Sequence, residues 1–216
     1  FPRQNESISR SFIVVTDGYV NVEKEAFDLI RNNCDNANTF AFGIGSSVNR
    51  FLIEGMARAG MSEPFIVLNS SNADAEAEKF RQYVNNPVLT QVKKEFSGFD
   101  VYDVEPVSIP DVLAERPVIV FGKYQGEGKG TITIKGKTGN GNYKKTFTVS
   151  DVKPDSKNSA IRYLWARKRI QQLSDYNSIS YDNDAIAEVT NLGLKYNLMT
   201  DYTSFIAIEE KPVNEG

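Results

Sequence analysis

What most constrains this chain is the rhythm of its first third, in which a short β-branched and aromatic run, a turn and an amphipathic helix follow one another repeatedly. Phe12-Ile13-Val14-Val15 is a continuous apolar run of strand length, as in a strand buried on both faces. Thr39-Phe40-Ala41-Phe42 is a second such run, and Phe65-Ile66-Val67-Leu68, set off by Pro64, is a third. Between the first two the spacing predicts a helix to about Asn33, with Asn21 as its N-cap and Val22, Ala26, Leu29 and Ile30 on one face. The next helix carries Val48, Leu52, Met56 and Ala59 on one face, with Gly60 as its left-handed stop. A third runs from about Asp74 to Val84 and ends before Pro87. Successive strands separated by helices of this length lie parallel with right-handed crossovers, because a hairpin cannot connect them. Three such strands make half of a doubly wound sheet.

From Pro87 the texture changes. Val92–Phe96, Phe99–Val107, Pro117–Lys123, Thr131–Lys135 and Lys144–Val149 read as short strands, and Gly136 to Asn142 reads as a hairpin turn, since Asn and Gly tolerate positive φ. This is an antiparallel β unit, expected as a small sandwich. The tail returns to helix: Ser159 to Leu173, with Ile161, Leu164, Trp165, Ile170 and Leu173 inward, then Asp184 to Tyr196 with Asn197 at the left-handed stop. Tyr202–Ile208 reads as a closing strand. The predicted fold class is therefore α/β plus β, with three segments: 1–88, the half-sheet; 89–152, the antiparallel unit; and 153–216, a helical pair with a final strand.

Composition narrows the chemistry. The 216 residues are 40% apolar and 25% charged, with a net charge of −3, an ordinary globular balance that argues against a phosphate-tracking surface while leaving room for a local basic patch. Histidine is absent, so neither a Ser-His-Asp nor a Cys-His pair can be built. Cys34 is the sole cysteine and reads as a small hydrophobe. No run is long and apolar enough for a membrane span. We therefore expect no catalytic residues.

Thr16-Asp17-Gly18 directly follows the first strand, where open α/β sheets bind ligands and where a carboxylate is placed to meet a hard cation; taken alone, the tripeptide reads more simply as a turn serving only the backbone. Gly43-Ile44-Gly45-Ser46-Ser47 feeds a helix but lacks both phosphate-loop patterns, and reads as a turn with a Ser cap. Asp182-Asn183-Asp184 reads as a helix start. Asp103 and Glu105, two apart on a strand, share a solvated face. Lys168 and Arg169 read as solvated.

Taken together, Phe12-Ile-Val-Val-Thr-Asp-Gly18 and Thr39-Phe-Ala-Phe-Gly-Ile-Gly45 resemble strands four and five of a von Willebrand factor A domain. Tyr163-Leu-Trp-Ala-Arg167, Asn191-Leu-Gly-Leu-Lys-Tyr-Asn197 and Thr200-Asp-Tyr-Thr-Ser-Phe-Ile206 are similar to the region after that domain in inter-alpha-trypsin inhibitor heavy-chain-like proteins, which pair it with a VIT domain. The resemblance implies a sheet order 3-2-1-4-5-6 and a noncatalytic adhesion or protein-binding module, secreted or at the cell surface, with a protein or extracellular-matrix ligand. It also implies that the preceding half-domain and the VIT domain lie upstream in the same chain. Such domains commonly hold Mg²⁺ or Mn²⁺ at a metal-ion-dependent adhesion site built from a DxSxS loop, a Thr and the Asp of a TDG-type loop. Only Asp17 matches, so tight metal binding is not expected of this chain, whatever the full-length protein holds. The open edge at residues 12–15 is expected to be capped by N-terminal residues or to pair with a second copy. Two other functions fit the sequence: a hydrolase or nucleotide-dependent enzyme on a flavodoxin-like half-sheet, and a purely structural scaffold.

Overall fold

The computed structural model of the chain describes residues 8–17, 22–114, 116–153 and 155–206. These form two compact units, residues 1–154 and 155–216. In the first, β1 (Ser11–Thr16), β2 (Asn38–Ile44) and β3 (Phe65–Val67) make a parallel sheet in that order, with Phe12 opposite Thr39 and Phe42 opposite Phe65. The crossovers carry α1 (Glu23–Asn32) and α2 (Arg50–Ala59), and α3 (Ala73–Val84) follows β3. The predicted half-sheet is present with its strands in the predicted order.

The core lies around β2, whose Phe40 is fully buried with Phe65 and Leu113. Phe42, Phe80 and Tyr83 close over them, and Phe40 meets Phe80 edge-on at 5.0 Å between centroids. Each phenylalanine so buried contributes about 2 kcal/mol in transfer free energy alone. Leu113 belongs to the later β region, so that region shares the core of the α/β half.

Several local details differ from the expectation. On α1 the buried anchor is Phe27, whereas Val22 and Leu29 are exposed; Asn21 lies outside the described residues. Phe27 wins because its ring fits the notch left by Gly55 on α2, where a Cβ would sit 2.0 Å from the ring. The N-cap of α2 is Asn49, whose side chain accepts from the Leu52 N–H at 3.1 Å, rather than a serine. Gly60 has φ −84°, and the left-handed step falls on Met61 at φ 53°. Glycine is needed at 60 for another reason: a Cβ there would sit 3.0 Å from the Thr39 carbonyl oxygen.

Beyond α3, β4 (Pro87–Ser97), β6 (Val112–Leu113), β8 (Thr131–Thr138) and β9 (Gly141–Thr148) form an antiparallel sheet in the order β6-β4-β8-β9. A separate pair joins β5 (Asp100–Glu105) to β7 (Phe121–Gln125). The hairpin turn is tighter than predicted: Thr138 pairs with Gly141, so most of the expected 136–142 turn belongs to the strands. Asp103 and Glu105 do not share a face, because Asp103 sits at φ 49° where the β5–β7 register shifts. Asp103 then pairs with Lys123 at 2.9 Å and Glu105 with Arg31.

The second unit packs α4 (Ala160–Asn177) on α5 (Asn183–Tyr196) around Trp165, Ala166, Val189 and Leu192. Asp182 caps α5 through the Asp184 N–H at 2.9 Å, and Asn197 takes the left-handed position at φ 50°, both as predicted. Ile161 and Leu164 face outward instead of inward. Arg169 is held by a two-pronged contact to Glu188 at 2.7 and 3.0 Å. No closing strand forms among residues 202–206; Thr200 and Thr203 make a single bridge, and 207–208 lie outside the described residues. That turn rests on Gly193, where a Cβ would meet the Thr203 hydroxyl at 2.6 Å.

Candidate functional site

The place where an α/β sheet of this kind binds ligands is the carboxyl end of its strands. There Asp17 stands exposed just beyond β1. Among the described residues no group of three or more His, Cys, Asp or Glu side chains is gathered as a metal site. A hard cation such as Mg²⁺ demands six oxygen ligands in octahedral geometry, so Asp17 by itself does not fit one. The neighbouring loop after β2 is shaped by packing: a Cβ on Gly43 would sit 2.3 Å from Val48. Gly45 supplies the turn at φ 112°, and its N–H donates to the Val67 carbonyl at 2.9 Å.

A second feature of the sheet is more distinctive. Among the described residues, β1 has a strand on one side only, and Phe12, Ile13 and Val15 are 43, 53 and 56% exposed. Phe12, Ile13 and Val14 line a groove of about 680 Å³ together with Leu29, Ile30 and Ala37 from α1 and the turn after it. The outward Leu29 that does not enter the core is thus part of this surface. A two-sided apolar strand with one bare edge is a template for adding another strand.

At the opposite end of the sheet lies a buried polar cluster that the sequence did not reveal. Asn38, fully buried at the start of β2, donates from Nδ2 to an Asp111 carboxylate oxygen at 3.1 Å. Its Oδ1 accepts from Arg116 Nη2 at 2.8 Å and from the Asp111 N–H at 3.1 Å. Asp111 also accepts from the Ser9 hydroxyl at 2.7 Å and from the Gln91 N–H at 3.2 Å. Gln91 reaches it because its φ of 50° bulges β4 toward the sheet. Arg116 lies over the Phe40 ring at 5.6 Å, and burial pulls its pKa down. Its Nε and Nη1 are buried without a hydrogen-bond partner. The cluster ties the amino ends of the parallel strands to the antiparallel region, a positioning role. A lone buried arginine has no sequence signature, because its side-chain partner Asn38 lies 78 residues away.

Cys34 is buried beside this region, its thiol donating to the Ile30 carbonyl at 3.2 Å. Burial pushes its pKa up to about 11, against a smaller lowering by the Ser108 hydroxyl. It packs as a small hydrophobe, as its isolation in the sequence suggests.

The fold thus defines an α/β protein carrying an antiparallel β region and a helical tail, and its resemblance to von Willebrand factor A domain proteins is shown by comparison over almost the whole chain. It is 25% identical over 215 residues to a von Willebrand factor A domain-containing protein of Dictyostelium discoideum, covering 93% of this chain and 10% of that protein. Against human inter-alpha-trypsin inhibitor heavy chain H3 it is 25% identical over 223 residues, covering 95% of this chain and 25% of the relative. The chain therefore spans about a tenth to a quarter of the length of these curated relatives. A solved structure, a von Willebrand factor type A protein from Catenulispora acidiphila, aligns with a TM-score of 0.45 at 12% identity, over 89% of this chain and 56% of that one. No family model matches the chain. Among the described residues no helix is long and apolar enough to cross a membrane.

Proposed function

We propose that this chain is a noncatalytic part of a larger adhesion-type, protein-binding protein, and that the open edge of its parallel sheet is where it takes up a further strand. The observation that carries the reading is β1 itself, which among the described residues pairs on one edge only, exposes Phe12, Ile13 and Val15, and is continuous with the apolar groove against α1. Burying such a surface releases about 25 cal/mol per Å², and the free strand edge adds directional main-chain hydrogen bonds. In a parent that carries the preceding half of an A-type sheet, that half is the natural occupant; for the chain alone, the occupant is β1 of a second copy. A secreted or cell-surface setting, with a protein or matrix ligand, is supported only by the likeness to inter-alpha-trypsin inhibitor heavy chain H3 and von Willebrand factor A domain-containing proteins.

Asp17 enters this reading as one ligand of a cation site completed by residues from the preceding half. Calorimetric titration of Mg²⁺ and Mn²⁺ is expected to show no tight binding to the 216-residue chain. A longer parent chain is expected to bind, and Asp17→Ala to remove that binding. Tight binding to the 216-residue chain would overturn the split-site reading.

Sedimentation velocity tests the edge. Concentration-dependent dimerisation of the chain, lost on Val15→Lys, is expected. A chain that stays monomeric at all concentrations, with rapid amide exchange at residues 12–15, would sink pairing through β1.

A further inference from the structure

The antiparallel sheet carries a charge distribution that nothing in the function above uses. Its strands β4, β8 and β9 hold six lysines, at 93, 94, 135, 137, 144 and 145, and a single carboxylate, Glu95. The whole chain carries −3, so this sheet is a basic island on an acidic protein. The register sharpens the point. Lys93 lies opposite Lys135, and Lys135 opposite Lys144, so three lysines form one row across three strands. Like charges directly opposite one another destabilise a sheet. Among the described residues Glu95 pairs with Lys135, diagonally, at 2.6 Å. The row ends at Lys144, on the outermost strand.

That strand is an edge. Among the described residues β9 pairs with β8 alone, and all eight of its residues, Gly141–Thr148, are exposed. Alternation puts Tyr143, Lys145 and Phe147 on one face and Asn142, Lys144 and Thr146 on the other. The aromatic pair is 37 and 46% exposed, and the Lys145 ammonium sits 5.0 Å from the centroid of the Phe147 ring. The edge therefore offers three things together: unpaired main-chain groups at alternate residues, two aromatic side chains spaced to flank a neighbour's side chain, and a lysine on each face.

Lysines on an edge strand guard against pairing with a copy of itself. Here that guard is specific, because a two-fold antiparallel β9–β9 pair centred near the middle of the strand sets Lys144, or Lys145, against the same lysine of the other copy. The same charges favour a strand of opposite sign, whose carboxylate opposite Lys144 would continue the Lys93–Lys135–Lys144 row with the missing negative charge. We propose that β9 binds an extended acidic segment of a partner protein by strand addition. A polyanionic glycan or nucleic acid would use the lysines but leave the main-chain edge and the aromatic pair idle. The proposal does not involve β1 or Asp17, so it stands or fails separately from the function above.

The test uses the 216-residue chain and a fluorescein-labelled eight-residue peptide of alternating Glu and Val, read by fluorescence anisotropy. Its controls are the matching Lys–Val peptide, the Glu–Val peptide N-methylated at alternate residues, and heparin as a generic polyanion. The Glu–Val peptide is expected to bind at least about tenfold more tightly than the Lys–Val peptide, with slowed amide exchange across residues 141–148. N-methylation is expected to abolish binding, because it removes the main-chain donors that strand addition requires. The charge reversal K144E/K145E, at two exposed positions, is expected to invert the peptide preference. No binding of the Glu–Val peptide would overturn the proposal. So would equal binding of its N-methylated form, or binding of heparin alone without protection of the β9 amides. The N-methyl comparison is made on the unaltered chain, so it decides the matter even if the double variant folds poorly.

Discussion

Arg116 Nη2 donates to Asn38 Oδ1 at 2.8 Å, joining residues 78 positions apart in a buried contact between the amino end of β2 and the segment after β6. The bond matters because the guanidinium charge is buried, and its other contact from Nη2 is to the Asp111 main-chain carbonyl at 2.9 Å rather than to a carboxylate. Asn38→Ala would leave Arg116 short of a further acceptor and the Asp111 carboxylate short of a donor. The expected cost is about 3 kcal/mol, read as a lower urea midpoint with an unchanged m-value. A shift below about 0.5 kcal/mol would show that the cluster is not what joins the two regions.

Gly55 and Phe27 are matched in shape. A Cβ at 55 would lie 2.0 to 2.7 Å from three atoms of the ring, and Phe27 is 1% exposed with little room to retreat. Gly55→Ala should therefore destabilise the chain by about 1–3 kcal/mol despite the better helix propensity of alanine. In the Phe27→Leu background the same change should cost distinctly less. Additive costs in thermal melts would refute the coupling.

Cys34 gives a pH signature. Its folded pKa of about 11 exceeds the ordinary value of 9.0, because burial opposes the thiolate. The folded state thus holds this proton more tightly than the unfolded state. The associated stability is fully present below pH 9 and is lost as pH rises from 9 to about 11. The wild-type chain should lose stability over that interval more steeply than Cys34→Ala. A thiol reagent at pH 8 should label Cys34 only as fast as the protein opens. Rapid labelling without unfolding would contradict the burial.

Asn197 ends α5 at φ 50° and ψ 52°, and its N–H reaches back to the helix carbonyls. Asn197→Gly should be neutral or slightly stabilising, and Asn197→Val should cost about 1–2 kcal/mol, since a β-branched residue resists the left-handed region. Equal melting temperatures for the two variants would show that the cap carries no strain.

Local patterns determined much of this protein. Phe12–Val15, Thr39–Phe42 and Phe65–Val67 announced parallel strands because both faces of each run are apolar, and the helices between them left one topology. Asp182 and Asn197 announced the ends of α5 because capping depends on a few neighbouring atoms. Asp17 was placed at a strand end for the same reason. Tertiary structure decided what depends on distant partners. Leu29 and Phe27 are equally apolar, and only the notch at Gly55 determined which of them is buried. Gly60 met the requirement for a stop, yet its position was set by the Thr39 carbonyl across a packed interface. Arg116 reads as an ordinary surface charge until Asn38 and Asp111 close around it. The row Lys93–Lys135–Lys144 exists only through strand register, because pairing, not sequence, sets the lysines side by side. Periodicity reports what a residue does to its own helix or strand; burial of a charge and the meeting of strands are long-range events, settled when the chain closes on itself.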